Sequence, residues 1–187
     1  MESKHKNILI GTLLAVVFVM AVGYAAFAQQ LTINGSAQIT STWDVHMEDS
    51  GEHEATATPS SAMSTDPTGD VVVEEGGLKA TLTADLKSPG DKITYVIPIV
   101  NGGSINAKLQ DLTLSSSDSS LNVAGDTATS TSGNIKYTVT SRPGTNLNAG
   151  ADDTITVVAE YVDIVGGQGN AQNETVNLTI TMNYVQA

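Results

Sequence analysis

The strongest constraint on this chain is the recurrence of apolar residues at every second position. Leu78, Ala80, Leu82, Ala84 and Leu86 alternate with Lys79, Thr81, Thr83 and Asp85, and Val176, Leu178, Ile180, Met182 and Tyr184 repeat the pattern near the C-terminal end. Successive side chains of an extended chain point to opposite faces, so each run has one face to bury and one to leave in water. The same period holds at Ile93, Tyr95, Ile97 and Ile99, at Ile135, Tyr137 and Val139, and at Ile155, Val157, Ala159 and Tyr161. Turn residues fall between the runs, at 142–144 (Arg-Pro-Gly), 149–151 (Ala-Gly-Ala) and 166–169 (Gly-Gly-Gln-Gly). Beyond the N-terminus no segment carries a 3.6-residue apolar stripe. The pattern predicts an all-β fold of roughly eight strands, an antiparallel β-sandwich of jelly-roll-like form, with a barrel as the alternative.

Residues 88–109 read as the centre of that sheet system. Pro89-Gly90-Asp91 opens a strand whose second face also carries Val96 and Val100, so burial on both sides is expected. Asn101-Gly102-Gly103 tolerate positive φ, and Ile105, Ala107 and Leu109 resume the alternation, which predicts a hairpin. Leu112 and Leu114 continue it up to the polar run 115–120. A weak strand over 121–124 and a polar stretch over 125–134 follow.

The N-terminus has a different grammar. Lys4, His5 and Lys6 precede an apolar run from Ile8 to Ala28 that ends in Ala26-Phe27-Ala28. Residues 1–28 therefore read as a signal peptide cleaved between Ala28 and Gln29, or as an uncleaved membrane anchor, since the run is long enough to span a bilayer. Residues 29–47 carry Leu31, Ile33, a break at Gly35, Ala37, Ile39, Trp43 and Val45, and form an N-terminal strand region. Residues 48–70 turn acidic and aperiodic, with Glu48, Asp49, Glu52 and Glu54, and are expected to be a surface loop or insertion. Residues 71–187 supply the remainder of the sandwich.

Charge narrows the partners. The formal net charge is −12 and the pI about 4.3. Removing residues 1–28 takes away one acid and two lysines and leaves −13. Nucleic acid and anionic lipid both need a basic face, so neither is an expected partner. With no cysteine, the domain has neither a disulfide framework nor a thiolate metal site.

The run SPGDKITYVIPIVNGGSINAKLQDL, residues 88–112, resembles the TasA/camelysin family of Gram-positive surface and biofilm-matrix fibre proteins. In that family a Pro-Gly-Asp strand start leads to an Asn-Gly-Ser type turn, then a small residue and Leu. Archaeal pilus subunits with a related sandwich look similar, and LTITMNYV at 178–185 resembles the closing strand of such domains. The resemblance implies a secreted sandwich that forms fibres. It carries over no proteolytic activity, because the sequence offers no motif for it.

Candidate chemistry is sparse. A zinc protease of the H-E-x-x-H type places two imidazoles one helical turn apart, but His53-Glu54 is followed by Ala55-Thr56-Ala57. His46, His53, Glu48, Asp49, Glu52 and Glu54 remain metal candidates by residue type alone. Asp118, Asp126, Asp152, Asp153 and Asp163 lie at loops or strand ends without the spacing of a calcium loop. Serines and threonines abound, yet His46 and His53 are the only bases beyond His5 and no nucleophile elbow is present. Asn34, Asn173 and Asn177 begin glycosylation sequons by pattern.

No catalytic residue and no cofactor is expected. The favoured function is a structural subunit of extracellular fibres, pili or biofilm matrix at the cell surface. Its partners would be signal peptidase and its own copies, joined head to tail, with membrane contact only through residues 7–28 before cleavage. Assembly would proceed by donor-strand complementation, with Leu31, Ile33, Ala37 and Ile39 filling the neighbour's sheet. The alternative is a membrane-tethered binding or adhesion module; a secreted metal-dependent hydrolase is the third class.

Overall fold

The computed structural model describes residues 2–27, 40–62, 66–116, 120–163 and 174–187. It divides into two units, Met1–Ile39 and Thr40–Ala187. The described residues of the first form one helix, α1 (Glu2–Phe27). Its Lys4–Val22 window has a mean hydropathy of 1.9, long and apolar enough to cross a membrane, as a signal sequence also is. From Ile8 to Val22 only Gly11 and Thr12 interrupt the large apolar and alanine residues, so that stretch has no polar face to offer water. Ala28, Gln29, Leu31, Ile33, Ala37 and Ile39 lie outside the described residues.

Among its described residues the second unit holds twelve strands: β1 (Val45–Met47), β2 (Thr56–Ser60), β3 (Thr68–Val73), β4 (Lys79–Leu86), β5 (Lys92–Asn101), β6 (Ala107–Ser115), β7 (Leu121–Ala124), β8 (Thr127–Ser130), β9 (Ile135–Ser141), β10 (Asn146–Leu147), β11 (Asp152–Tyr161) and β12 (Glu174–Gln186). They form two antiparallel sheets. The first runs β1-β5-β11-β9-β8-β7, with β2 pairing the other half of β5, and the second runs β10-β6-β12-β4-β3. The fold is the expected all-β sandwich with an N-terminal apolar helix.

Alternation explains the core. Ile93, Tyr95, Ile97 and Ile99 of β5 and Ile155, Val157, Ala159 and Tyr161 of β11 are fully buried, as are Ala80, Leu82, Ala84 and Leu86 of β4 and Leu178 and Ile180 of β12. The core also holds the fully buried tyrosines Tyr95 and Tyr137, whose ring centroids lie 6.4 Å apart. Tyr95 Oη donates to the Thr83 carbonyl at 2.6 Å and Tyr137 Oη to the Val176 carbonyl at 2.7 Å, so both rings tie the first sheet to the second. Burial pushes both phenols well above their ordinary pKa and keeps them neutral donors.

The structure departs from the sequence expectations in four places. First, residues 88–109 are not a hairpin: β5 belongs to the first sheet and β6 to the second, so residues 102–106 cross the sandwich. The crossing is organised by the fully buried Asn101, whose Nδ2 donates to the carbonyls of Ile105 (2.9 Å) and Leu147 (3.1 Å) while Oδ1 accepts from Gly103 N (3.1 Å). Gly103 is needed here for close approach to backbone, since it is not among the positive-φ glycines. A Cβ at 103 would sit 2.6 Å from the Thr42 carbonyl oxygen.

Second, the outer face of β5, with Thr94, Val96, Pro98 and Val100, is only half buried, and among the described residues of the sandwich no third layer covers it. Third, residues 48–70 are not all loop. β1 covers only Ile99, Val100 and Asn101, and β2 takes up the free edge of β5 from Lys92 to Val96. Its sequence, Thr-Ala-Thr-Pro-Ser, buries no side chain fully, so it carries no apolar period, and Pro59 is tolerated because the strand is at an edge. Fourth, the polar stretch 125–134 contains β8, whose only buried residues are Ala128 and Ser130.

The Pro-Gly-Asp start has a clear physical role. Asp91 is fully buried, and its Oδ2 accepts from Ser88 N (2.9 Å) and Lys87 N (3.2 Å) while Oδ1 accepts from Ala62 N (3.1 Å) and Ser61 Oγ (3.3 Å). One carboxylate thus fixes the turn that opens β5 and fastens the end of β2 beside it. Asp91→Ala leaves these donors without that acceptor and is expected to lower stability by about 3 kcal/mol in urea unfolding. A change within about 0.5 kcal/mol, the level of a neutral surface substitution, would remove Asp91 from this role.

Candidate functional site

The metal candidates do not converge. His46 on β1 has Nδ1 2.8 Å from Asp44 Oδ1 and Nε2 3.5 Å from Glu48 Oε2. The two carboxylates thus meet different ring nitrogens, and no single ion on one lone pair reaches both. His53 Nε2 pairs with Asp152 Oδ2 at 3.2 Å. Glu48 Oε1 accepts from Ser50 Oγ and Asp49 Oδ1 from Ala55 N, while Glu52 and Glu54 are exposed. Among the described residues no group of three or more His, Asp or Glu side chains is arranged to hold a metal.

The calcium candidates are likewise spent separately. Asp126 pairs with Arg142, Asp152 with His53, and Asp153 caps a turn by accepting from Gly144 N and Thr154 N. Asp163 follows β11 and is exposed. Asp118 lies outside the described residues, as do Asn34 and Asn173. Asn177 sits within β12 opposite Thr83, in the middle of a ladder.

What distinguishes the sandwich is the contrast between its two long seams. One is sealed. β1 pairs with β5 on one side, and on the other Met47 N donates to the Gly77 carbonyl at 2.6 Å, in the turn between β3 and β4. Gly77 has φ +65°, and a Cβ there would lie 2.4 Å from the His46 Cβ, so only glycine lets β1 bridge the two sheets. Below it, β2 runs along β5 and packs beside β3.

The opposite seam is open. In the second sheet, β10 pairs only with Ala107 and Lys108 of β6, and Leu109 N adds one bond to the Thr145 carbonyl. From Gln110 to Ser115, among the described residues, β6 is laddered on one side alone, to β12. In the first sheet, among the described residues, β7 is terminal and pairs only with β8. Leu112, Leu114 and Leu121 turn inward behind these edges, and Val123 is 42% exposed.

Unpaired edges are normally guarded by lysine, proline or a covering segment. Neither residues 110–115 nor β7 contains Lys, Arg or Pro. Sequence reasoning missed this seam, and the only local signal for it is that absence. Backbone amides on the free sides of β6 and β7 are expected to exchange with deuterium at least about a hundredfold faster than those of residues 176–180 in central β12. Equal protection would mean that the seam is covered in solution. Comparison with protein-family models, with curated proteins and with solved structures yields no match, so the functional reading rests on the chain's own residues and geometry.

Proposed function

We propose that this protein is a secreted structural subunit that assembles into extracellular fibres by strand addition between copies. The observation that carries the reading is the open seam: two unguarded sheet edges flanking one line of apolar residues, in a sandwich whose other seam is sealed. An incoming strand gains ladder hydrogen bonds from the edge and buries alternate side chains behind it.

The donor is the segment after the apolar helix. Leu31, Ile33, Ala37 and Ile39 all occupy odd positions, with Gly35 between them, so an extended segment presents them on one face. Export through the apolar helix and cleavage between Ala28 and Gln29 free this segment outside the cell. A contact between one copy's N-terminus and another's seam is heterologous, and such contacts propagate into filaments when the rotation does not close a ring. The resemblance of residues 88–112 to the TasA/camelysin family supports the same reading. Retention of residues 7–28 would instead favour a membrane-tethered binding module, and mass analysis of the native N-terminus separates the two.

The chain beginning at Gln29 is expected to form filaments visible by electron microscopy, and Leu31→Asp with Ile33→Asp to yield a folded monomer. A Gln29 chain that stays monomeric at about 1 mM, or a double variant that polymerises equally well, would refute the proposal; at that concentration even contacts worth only about 4 kcal/mol are populated.

A further inference from the structure

We propose that Arg142 gates the open seam, competing in each free subunit with the incoming strand; this rests on the assembly reading above. Arg142 is the chain's one arginine. It follows β9 directly, where the chain leaves the first sheet for β10 in the second. Its Nη2 lies 2.7 Å from Asp126 Oδ1, in the turn between β7 and β8, and donates to the Leu112 carbonyl at 3.4 Å. One guanidinium therefore touches both sides of the seam: the β7–β8 turn of the first sheet and the middle of the unpaired part of β6.

The Leu112 contact bears directly on strand addition. The Leu112 side chain is buried, so its backbone polar groups lie in the plane of the sheet. A carbonyl that a guanidinium from the seam can reach faces away from β12. It is one of the acceptors that a strand laid against β6 must use. In the free subunit Arg142 satisfies it in cis, and an incoming N–H has to displace the guanidinium first.

Two properties follow from the chemistry. The Arg142 and Asp126 side chains are 47% and 48% exposed, so the pair is screened by salt and its contribution is small; the gate slows assembly without blocking it. Both acceptors are reached by one nitrogen, Nη2, whose two N–H donors are fixed in the guanidinium plane, an arrangement that a shorter, freely rotating lysine ammonium reproduces poorly. Arg142→Lys should therefore restore the gate only in part.

The test is filament growth by light scattering and electron microscopy, using the chain from Gln29 as wild type, Arg142→Ala, Arg142→Lys and Asp126→Asn, each checked for native circular dichroism. At about 0.02 M NaCl, where screening is weak, Arg142→Ala and Asp126→Asn are expected to grow about two- to fivefold faster than wild type, with Arg142→Lys between. At about 0.5 M NaCl the differences should vanish, because wild type accelerates to match. A purely structural role for Arg142 predicts slower assembly and no salt-dependent convergence. Wild-type filaments that grow as fast as Arg142→Ala at low salt overturn the gate alone. A wild-type chain that forms no filaments overturns the assembly reading and the gate with it.

Discussion

Two buried polar side chains, Asp91 and Asn101, hold the ends of β5, and the architecture depends on where that strand starts and stops. Among the described residues β5 is the one strand paired with three others: β1, β2 and β11. In an apolar core an unmatched carboxylate or carboxamide is costly, so each must sit where its partners are. Asp91 finds them in the turn before β5 and in the segment after β2. Asn101 finds them in the crossing that leads to β6 and in β10. Register, crossing and the sealed seam are thereby set at two points, and the alternating core residues between them follow.

Much of the interior was legible in the sequence, because the strands that bury one face announce it. The alternation in β4, β5, β9, β11 and β12 names their inward residues individually, and within the strands they are buried, while Leu78, which begins the β4 alternation, precedes the strand and is 42% exposed. β2 and β8 were illegible for the same reason inverted: each spends its few inward positions on small residues, so no apolar period arises. Asn101-Gly102-Gly103 was legible as a turn but not as a crossing. Which sheet the next strand joins is decided by pairing with β12, some seventy residues later, and by the tight approach of residues 42–44 that only glycine permits.

The candidate sites divide along the same line. His46, Glu48 and Asp49 are close in sequence, which suggested a ligand set, but Glu48 and Asp44 meet opposite ring nitrogens of His46, and Asp49 accepts from the Ala55 amide instead. The open seam had no signature of its own, since being an edge is a property of strand order. Once the order is known, the composition becomes informative. Edges without lysine or proline are an aggregation hazard in a protein meant to stay alone, and a docking line in one meant to polymerise.

On the proposed reading the two seams separate stability from assembly. Asp91, Asn101, Gly77 and β1 close one side; Leu112, Leu114, Leu121 and Val123 are left behind the other. Because the chain has no cysteine, single introduced thiols can report which side receives a neighbour. The most direct measurement mixes Ile33→Cys chains with Val123→Cys chains, and separately with Thr58→Cys chains carrying a thiol on β2 at the sealed seam, and scores crosslinking by a short bis-maleimide. The account predicts Ile33-to-Val123 crosslinks between copies and none to Thr58. Crosslinking to Thr58 alone, or equally to both, would contradict it.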